Sequence, residues 1–205
     1  MPTSATRVTV CNMALDIIVE APIATLTDAT PYARWLNRNF SPIVEATLRE
    51  QPWNFACELF MLSADPGAPA FRWSHRYALP PGWLRVLPIT EDGSRYGRQL
   101  PFEIKSNWLM TNRGAPCPVE CVMNNQEPGE WDSLFVSLIA ARLAAGMAHR
   151  FTGKGSFVDR AQKMAIDALE IAEQTNAFEG SLQPVDEYDI IRARGGDNLR
   201  GRWEW

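Results

Sequence analysis

The sequence predicts an α+β fold that is mainly α. The expected architecture is an antiparallel bundle of about four helices, with a small antiparallel β-domain inserted in the middle and an extended C-terminal arm. Three observations carry this. Apolar residues recur at spacings of three and four at both ends of the chain, over 6–48 and again over 132–175. Residues 63–130 hold most of the prolines and break into short β-prone runs between turn markers. After Gly180 the apolar residues are scattered and form no helical stripe. The implied division is 1–62 with 131–180 as the helical domain, 63–130 as the inserted β-rich domain, and 181–205 as the arm.

The first helix is expected over Thr6–Val19, where Val8, Cys11, Leu15 and Ile18 share a face and Pro22 ends the run. Ile23, Thr25 and Leu26 then read as a short extended link. The second helix has the clearest start: Thr30 suits the N-cap and Pro31 the first helical position. Its stripe is Tyr32, Trp35, Leu36, Phe40, Ile43, Val44, Thr47 and Leu48. Pro42 lies inside the stripe and predicts a kink or a new start there, and Pro52 closes the run.

In the middle third, strands are expected over Trp73–Leu79, Trp83–Ile89, Phe102–Lys105, Trp108–Thr111 and Val119–Met123. Ser106–Asn107 between two of them predicts a tight hairpin. The third long helix runs from about Asp132 to Phe151, with Leu134, Phe135, Leu138, Ile139, Leu143 and Met147 apolar and alanines between 140 and 148 permitting close packing. Gly153–Lys154–Gly155 makes the turn. Ser156 then caps a fourth helix to about Thr175, with Phe157, Ala161, Met164, Ala165, Ala168, Leu169 and Ala172 inward. Trp35, Phe40 and Leu48 are expected to meet Leu138, Met164 and Leu169 in the core.

Composition limits the function. Apolar residues make up 46% and charged residues 21% of 205, which is ordinary for a globular chain and excludes wholesale disorder. The net charge of −4 disfavours a protein that grips DNA along its length, because that affinity comes from neutralised phosphates. Lys105, Lys154 and Lys163 are the only lysines. The arginine bias is either a codon effect or, with 8 Trp, a mark of contact surfaces. Cys11 sits in a helical apolar pattern, Cys57 is isolated, and Cys117 and Cys121 lie on one face of an extended segment, too far apart for a relaxed disulfide. With only His75 and His149 as imidazoles, no metal or other cofactor is expected. MPTSATRV has neither apolar core nor basic start, so no signal peptide is expected. No stretch reads as the roughly 18 apolar residues of a membrane span, so a chain made in a reducing cytoplasm is expected.

Signs of catalysis are few. Gly153–Lys154–Gly155–Ser156 fails as a phosphate loop, because Ala148 stands where a glycine is required and Gly155 where a Ser or Thr is required. No Gly-x-Ser-x-Gly elbow is present. Glu45 with Arg49 reads as a solvated helix face, and Glu127, Glu130 and Asp132 suit the start of a helix. The expectation is that the chain is not an enzyme.

The arm is unlike a disordered tail, which would be poor in aromatic and branched residues. Val185, Tyr188, Ile190, Ile191, Trp203 and Trp205 stand among Arg192 and Arg194. Such a segment suits ordering on a partner through aromatic anchors.

Several blocks together resemble the tail tubular protein A and head-to-tail adaptor (connector) family of bacteriophages. They are Cys11–Asn12–Met13–Ala14–Leu15, the ATLTD of 24–28, and Arg49–Glu50–Gln51–Pro52–Trp53–Asn54–Phe55–Ala56. Tyr77–Ala78–Leu79–Pro80, Leu84–Arg85–Val86 and Trp131–Asp132–Ser133–Leu134–Phe135 extend the resemblance, in order, over 5–178. Relatives often carry Ile–Gly after the first helix where this chain has Val19–Glu20, and the tail after Gly180 has no clear match.

The resemblance implies a structural virion protein in the phage neck or tail, made in the bacterial host cytoplasm. It implies a homo-oligomeric ring, roughly twelve-fold, bridging the portal protein to a tail or nozzle protein. Double-stranded DNA would pass through the lumen without specific binding, and no membrane would be involved. It makes the portal the host of the arm, through Val185, Tyr188, Ile190, Ile191, Arg192, Arg194, Trp203 and Trp205. Two other classes stay open at this point: a small tail-associated cell-wall hydrolase, and a cytoplasmic helical regulatory protein.

Overall fold

The computed structural model of the chain describes residues 4–67, 69, 71–91, 97–152 and 155–179. Among them are four α-helices: α1 (Arg7–Ile17), α2 (Pro31–Glu50), α3 (Ser133–Met147) and α4 (Gly155–Glu179). Six strands lie between α2 and α3: β1 (Cys57–Leu62), β2 (His75–Ala78), β3 (Trp83–Val86), β4 (Phe102–Lys105), β5 (Trp108–Thr111) and β6 (Cys117–Met123). They form two three-stranded antiparallel sheets, ordered β1-β6-β3 and β2-β5-β4.

This corrects the expected fold class. The chain is α+β with two sheets, not a mainly α bundle carrying one small sheet. β1 was unexpected because CELFML is a short apolar run whose periodicity does not separate strand from helix. It also lies before residue 63, where the β-rich insertion is expected to begin. Alternation along a strand reveals which residues share a face but not which strand is the neighbour, so the split into two sheets was not legible. The arm, 181–205, lies outside the described residues.

The first sheet sits between two cores. Its inner face joins Val86, Cys117, Val119 and Cys121 to Tyr77, Leu79 and Leu109 of the second sheet region. On the other side, Val122, Leu84 and Leu87 enter the helical core. A register shift between Trp83 and Arg85 makes this sharing possible. Trp83 pairs with Met123 and Arg85 with Val122, so β3 carries one extra residue there. The bulge lets Leu84 join the helical core while Val86, two residues on, joins the other.

In the helical core, α3 packs against α1, α2 and α4. Its span Ser133–Phe151 is 19 residues with a mean hydropathy of 1.3, long and apolar enough to cross a membrane by length and composition. That corrects the expectation that no such stretch exists. Within this fold 56% of that span is buried, as befits a helix surrounded by others. A π-helical turn, Ala148–Thr152, follows it.

Local signals account for most helix ends. Thr30 accepts a hydrogen bond from the Ala33 N–H and Pro31 starts α2, as expected. Asp132 caps α3 through the Leu134 N–H. α2 runs as one helix through Pro42, so the alternative of a second helix starting there is corrected. Pro42 and Arg38 both lie on the solvent face, where a carbonyl deprived of its i+4 donor by a proline is open to water. Ser156 is not a cap: α4 already includes Gly155, and it continues past Thr175 to Glu179. Met164 is 37% exposed and not in the core, whereas Trp35, Phe40, Leu48 and Leu138 are buried and Leu169 packs against them.

Candidate docking site

The segment 49–56 is the hub of the helical half. The Arg142 guanidinium of α3 grips the Glu50 carboxylate with two bonds, 2.7 and 2.6 Å, and donates a third to Thr47 Oγ1 at 3.0 Å. Arg85 of β3 donates to the Glu50 carbonyl at 3.1 Å. Gln51 Nε2 reaches Glu173 of α4 at 2.8 Å. Asn54 and Asn176 clasp each other: the Asn54 N–H donates to Asn176 Oδ1 and Asn54 Nδ2 to the Asn176 carbonyl, each at 2.8 Å. Asn176 Nδ2 completes the clasp on the Pro52 carbonyl at 3.0 Å. One eight-residue block thus ties α2 to α3, α4 and the first sheet.

Its aromatics meet those of the block at 131–135. Phe135 receives Trp53, Phe55 and Trp131 edge-on, with ring centroids 5.1, 4.9 and 5.1 Å away. Both indoles are buried and both spend their single donor internally, Trp53 on the Thr47 carbonyl and Trp131 on the Asn125 carbonyl, each at 3.0 Å.

Beside this cluster is a cavity of about 290 Å³. Trp53, Phe55 and Trp131 form one wall, and Ala172, Thr175 and Asn176 of α4 another. Glu130, Asp132 and Glu179 also line it, and no lysine or arginine does among the described residues. The volume lies at the lower edge of ligand pockets, which suits a large side chain better than a cofactor. Trp53 and Trp131 are buried behind this wall, so Phe55 is its partly exposed aromatic, and the carboxylates give the cavity an acidic rim. The sequence pattern missed this site because it joins segments far apart in the chain, and because Asn176 and Glu179 on its α4 wall lie beyond the expected helix end.

The other early blocks serve the fold. Cys11 is buried in the core, and burial pushes its thiol up to about 12, against a smaller opposing pull from Arg7. Asn12 clamps the link after α1, donating to the Ile23 carbonyl and accepting from the Ile23 N–H. Asp28 accepts from the Thr25 hydroxyl and from the Thr25 and Ala24 N–H groups, and these bonds hold its carboxyl below the usual range. Cys117 and Cys121 are free thiols on one buried face of β6, as expected. His75 lies in β2 near Tyr77, and His149 is exposed in the π turn. Val185, Tyr188, Ile190, Ile191, Arg192, Arg194, Trp203 and Trp205 all lie outside the described residues.

No protein-family model matches the chain, and no curated protein matches it.

Proposed function

We propose that this chain is a head-to-tail adaptor of a bacteriophage, a structural virion protein. In this reading it forms a ring, roughly twelve-fold, between the portal and the tail or nozzle, and surrounds passing DNA without gripping it. The observation that supports the reading is the role of the blocks that carry the resemblance. Arg49–Ala56 and Trp131–Phe135 are not scattered matches but meet in one aromatic junction, where Trp53 and Phe55 pack on Phe135. A net charge of −4 suits a passage for sliding DNA, which a basic lining would retard. The C-terminal arm, through the residues named above, is assigned to the portal.

The test is electron microscopy of the full-length protein mixed with the portal protein of the same phage. End-on rings stacked on the portal are expected. A compact dimer that leaves the portal bare would overturn the reading. Weak, salt-sensitive and sequence-independent DNA binding is expected in parallel.

A further inference from the structure

We infer that the outer stripe of α4, formed by Met164, Ile171 and Phe178, docks a second copy of this chain, whose own α4 lies antiparallel across the same stripe. The contact is a reversible two-fold pair of the free protein. It does not rest on the ring reading.

Spacing defines the stripe. α4 is 25 residues long, and Ala161 and Ala172, with Val158, Ala168 and Leu169 beside them, pack its inner face on the helical core. Met164, Ile171 and Phe178 follow at seven-residue steps, so they keep to one line with a drift of about 20° per step. The line runs along the flank of the buried face, and the three side chains are 37%, 53% and 82% exposed. Ile166 is also exposed, but it points to another side of the helix. Large apolar side chains at a seven-residue repeat form the seam of helix-on-helix packing.

The neighbours of the stripe select the occupant. With a two-fold axis at Ile171, that residue meets its counterpart, and Met164 meets Phe178 at each end, since antiparallel partners are equally spaced on either side of the axis. On one flank the same register sets Asp167 near Gln174 of the second copy, a carboxylate against an amide donor, twice over. On the other flank it sets Ala168 near Thr175, small side chains that let the helices approach. Charge agrees. The first half of α4 carries Asp159, Arg160 and Lys163, and the second half carries Asp167, Glu170, Glu173 and Glu179. An antiparallel pair sets the basic-leaning half against the acidic one and opposes the two helix dipoles. A parallel pair would set each carboxylate beside its own copy.

Area sets the strength. Met164 to Phe178 covers about 21 Å of helix. One helix-on-helix contact of that length belongs with the small interfaces, below about 1,200 Å² in total, that hold transient pairs. Dissociation in the range of about 10–100 µM is therefore expected. A pair this weak opens when a larger assembly claims either copy.

The test is sedimentation equilibrium of the full-length protein without the portal. The mass should rise with concentration from one chain towards two across that range. Ile171→Asp, which brings two carboxylates together on the axis, should weaken the pair at least about tenfold. Phe178→Asp, at the most exposed of the three positions, should do the same while melting like the wild type. Orientation is read by oxidative cross-linking, with the wild-type chain as background. Met164→Cys mixed with Phe178→Cys should give a disulfide-linked pair, and neither variant alone should. Cross-linking of each variant with itself shows a parallel pair and overturns the inference, as does a wild-type chain that stays monomeric. Association that passes directly to rings and ignores both Asp variants also overturns it and leaves the ring reading standing. A clean pair that leaves the portal bare does the reverse, so the two readings fail separately.

Discussion

Trp35 of α2 lies so close to Gly146 of α3 that a Cβ on Gly146 would sit 2.7 Å from the indole Cη2 and 2.9 Å from Cζ2. The missing side chain is what lets the ring lie against α3. Gly146→Ala should gain about 1 kcal/mol in helix propensity and lose more by overpacking. The expected net effect is a destabilisation of about 1–2 kcal/mol. Denaturant unfolding checks it, and a stabilised variant would show that the indole moves aside freely.

Val19 stands where glycine is usual. Its φ is 60°, and it ends α1 in a Schellman arrangement: Glu20 N–H donates to the Leu15 carbonyl and Val19 N–H to that of Asp16. A β-branched residue in this region is strained, and 73% exposure gives it little packing in return. Val19→Gly should stabilise the fold by about 1 kcal/mol, read as a raised melting temperature.

Leu48 and Met164 separate core from surface. Leu48 is fully buried, and Leu48→Ala should cost about 2–5 kcal/mol. Met164→Ala should cost well under about 1 kcal/mol, because the side chain already faces solvent. Matching costs in urea titrations would contradict the placement of α4.

The Arg142–Glu50 pair should show its worth in a double-mutant cycle. The geometry is bidentate, and the side chains are 22% and 44% exposed. A coupling of about 1 kcal/mol is expected, shrinking with added salt. Arg142→Ala alone should cost more than Glu50→Ala, since it also deprives the buried Thr47 hydroxyl of a donor.

Two buried thiols should shape the alkaline limb of stability. Burial raises Cys11 to about 12 and Cys121 to about 11, from an ordinary value of 9.0. Above pH 9 the unfolded chain releases these protons while the folded chain keeps them. Stability should therefore fall between pH 9 and about 11, by up to about 1.4 kcal/mol per pH unit for each thiol. Cys11→Ala with Cys121→Ala should flatten that limb, and an unchanged slope would assign it to other groups.

The elements legible in the residues alone are those whose cause is local. Thr30–Pro31 and Asp132 cap their helices with their own side chains and backbone. The β4–β5 hairpin turns at Ser106–Asn107, with Ser106 at a φ of 54°. Cys117 and Cys121 share a buried face because a strand alternates. The choices between distant partners follow from packing alone. Nothing local in CELFML selects β6 as its neighbour, and nothing in the strands' patterns divides them into two sheets. Pro42 reads as a break until its solvent face is known. The cavity needs the last turn of α4 beside Trp53 and Trp131, brought there by the Asn54–Asn176 clasp across 122 residues. Helix caps and alternation act over a few residues of backbone, whereas sheet pairing and cavities depend on surfaces that meet only when the whole chain has packed.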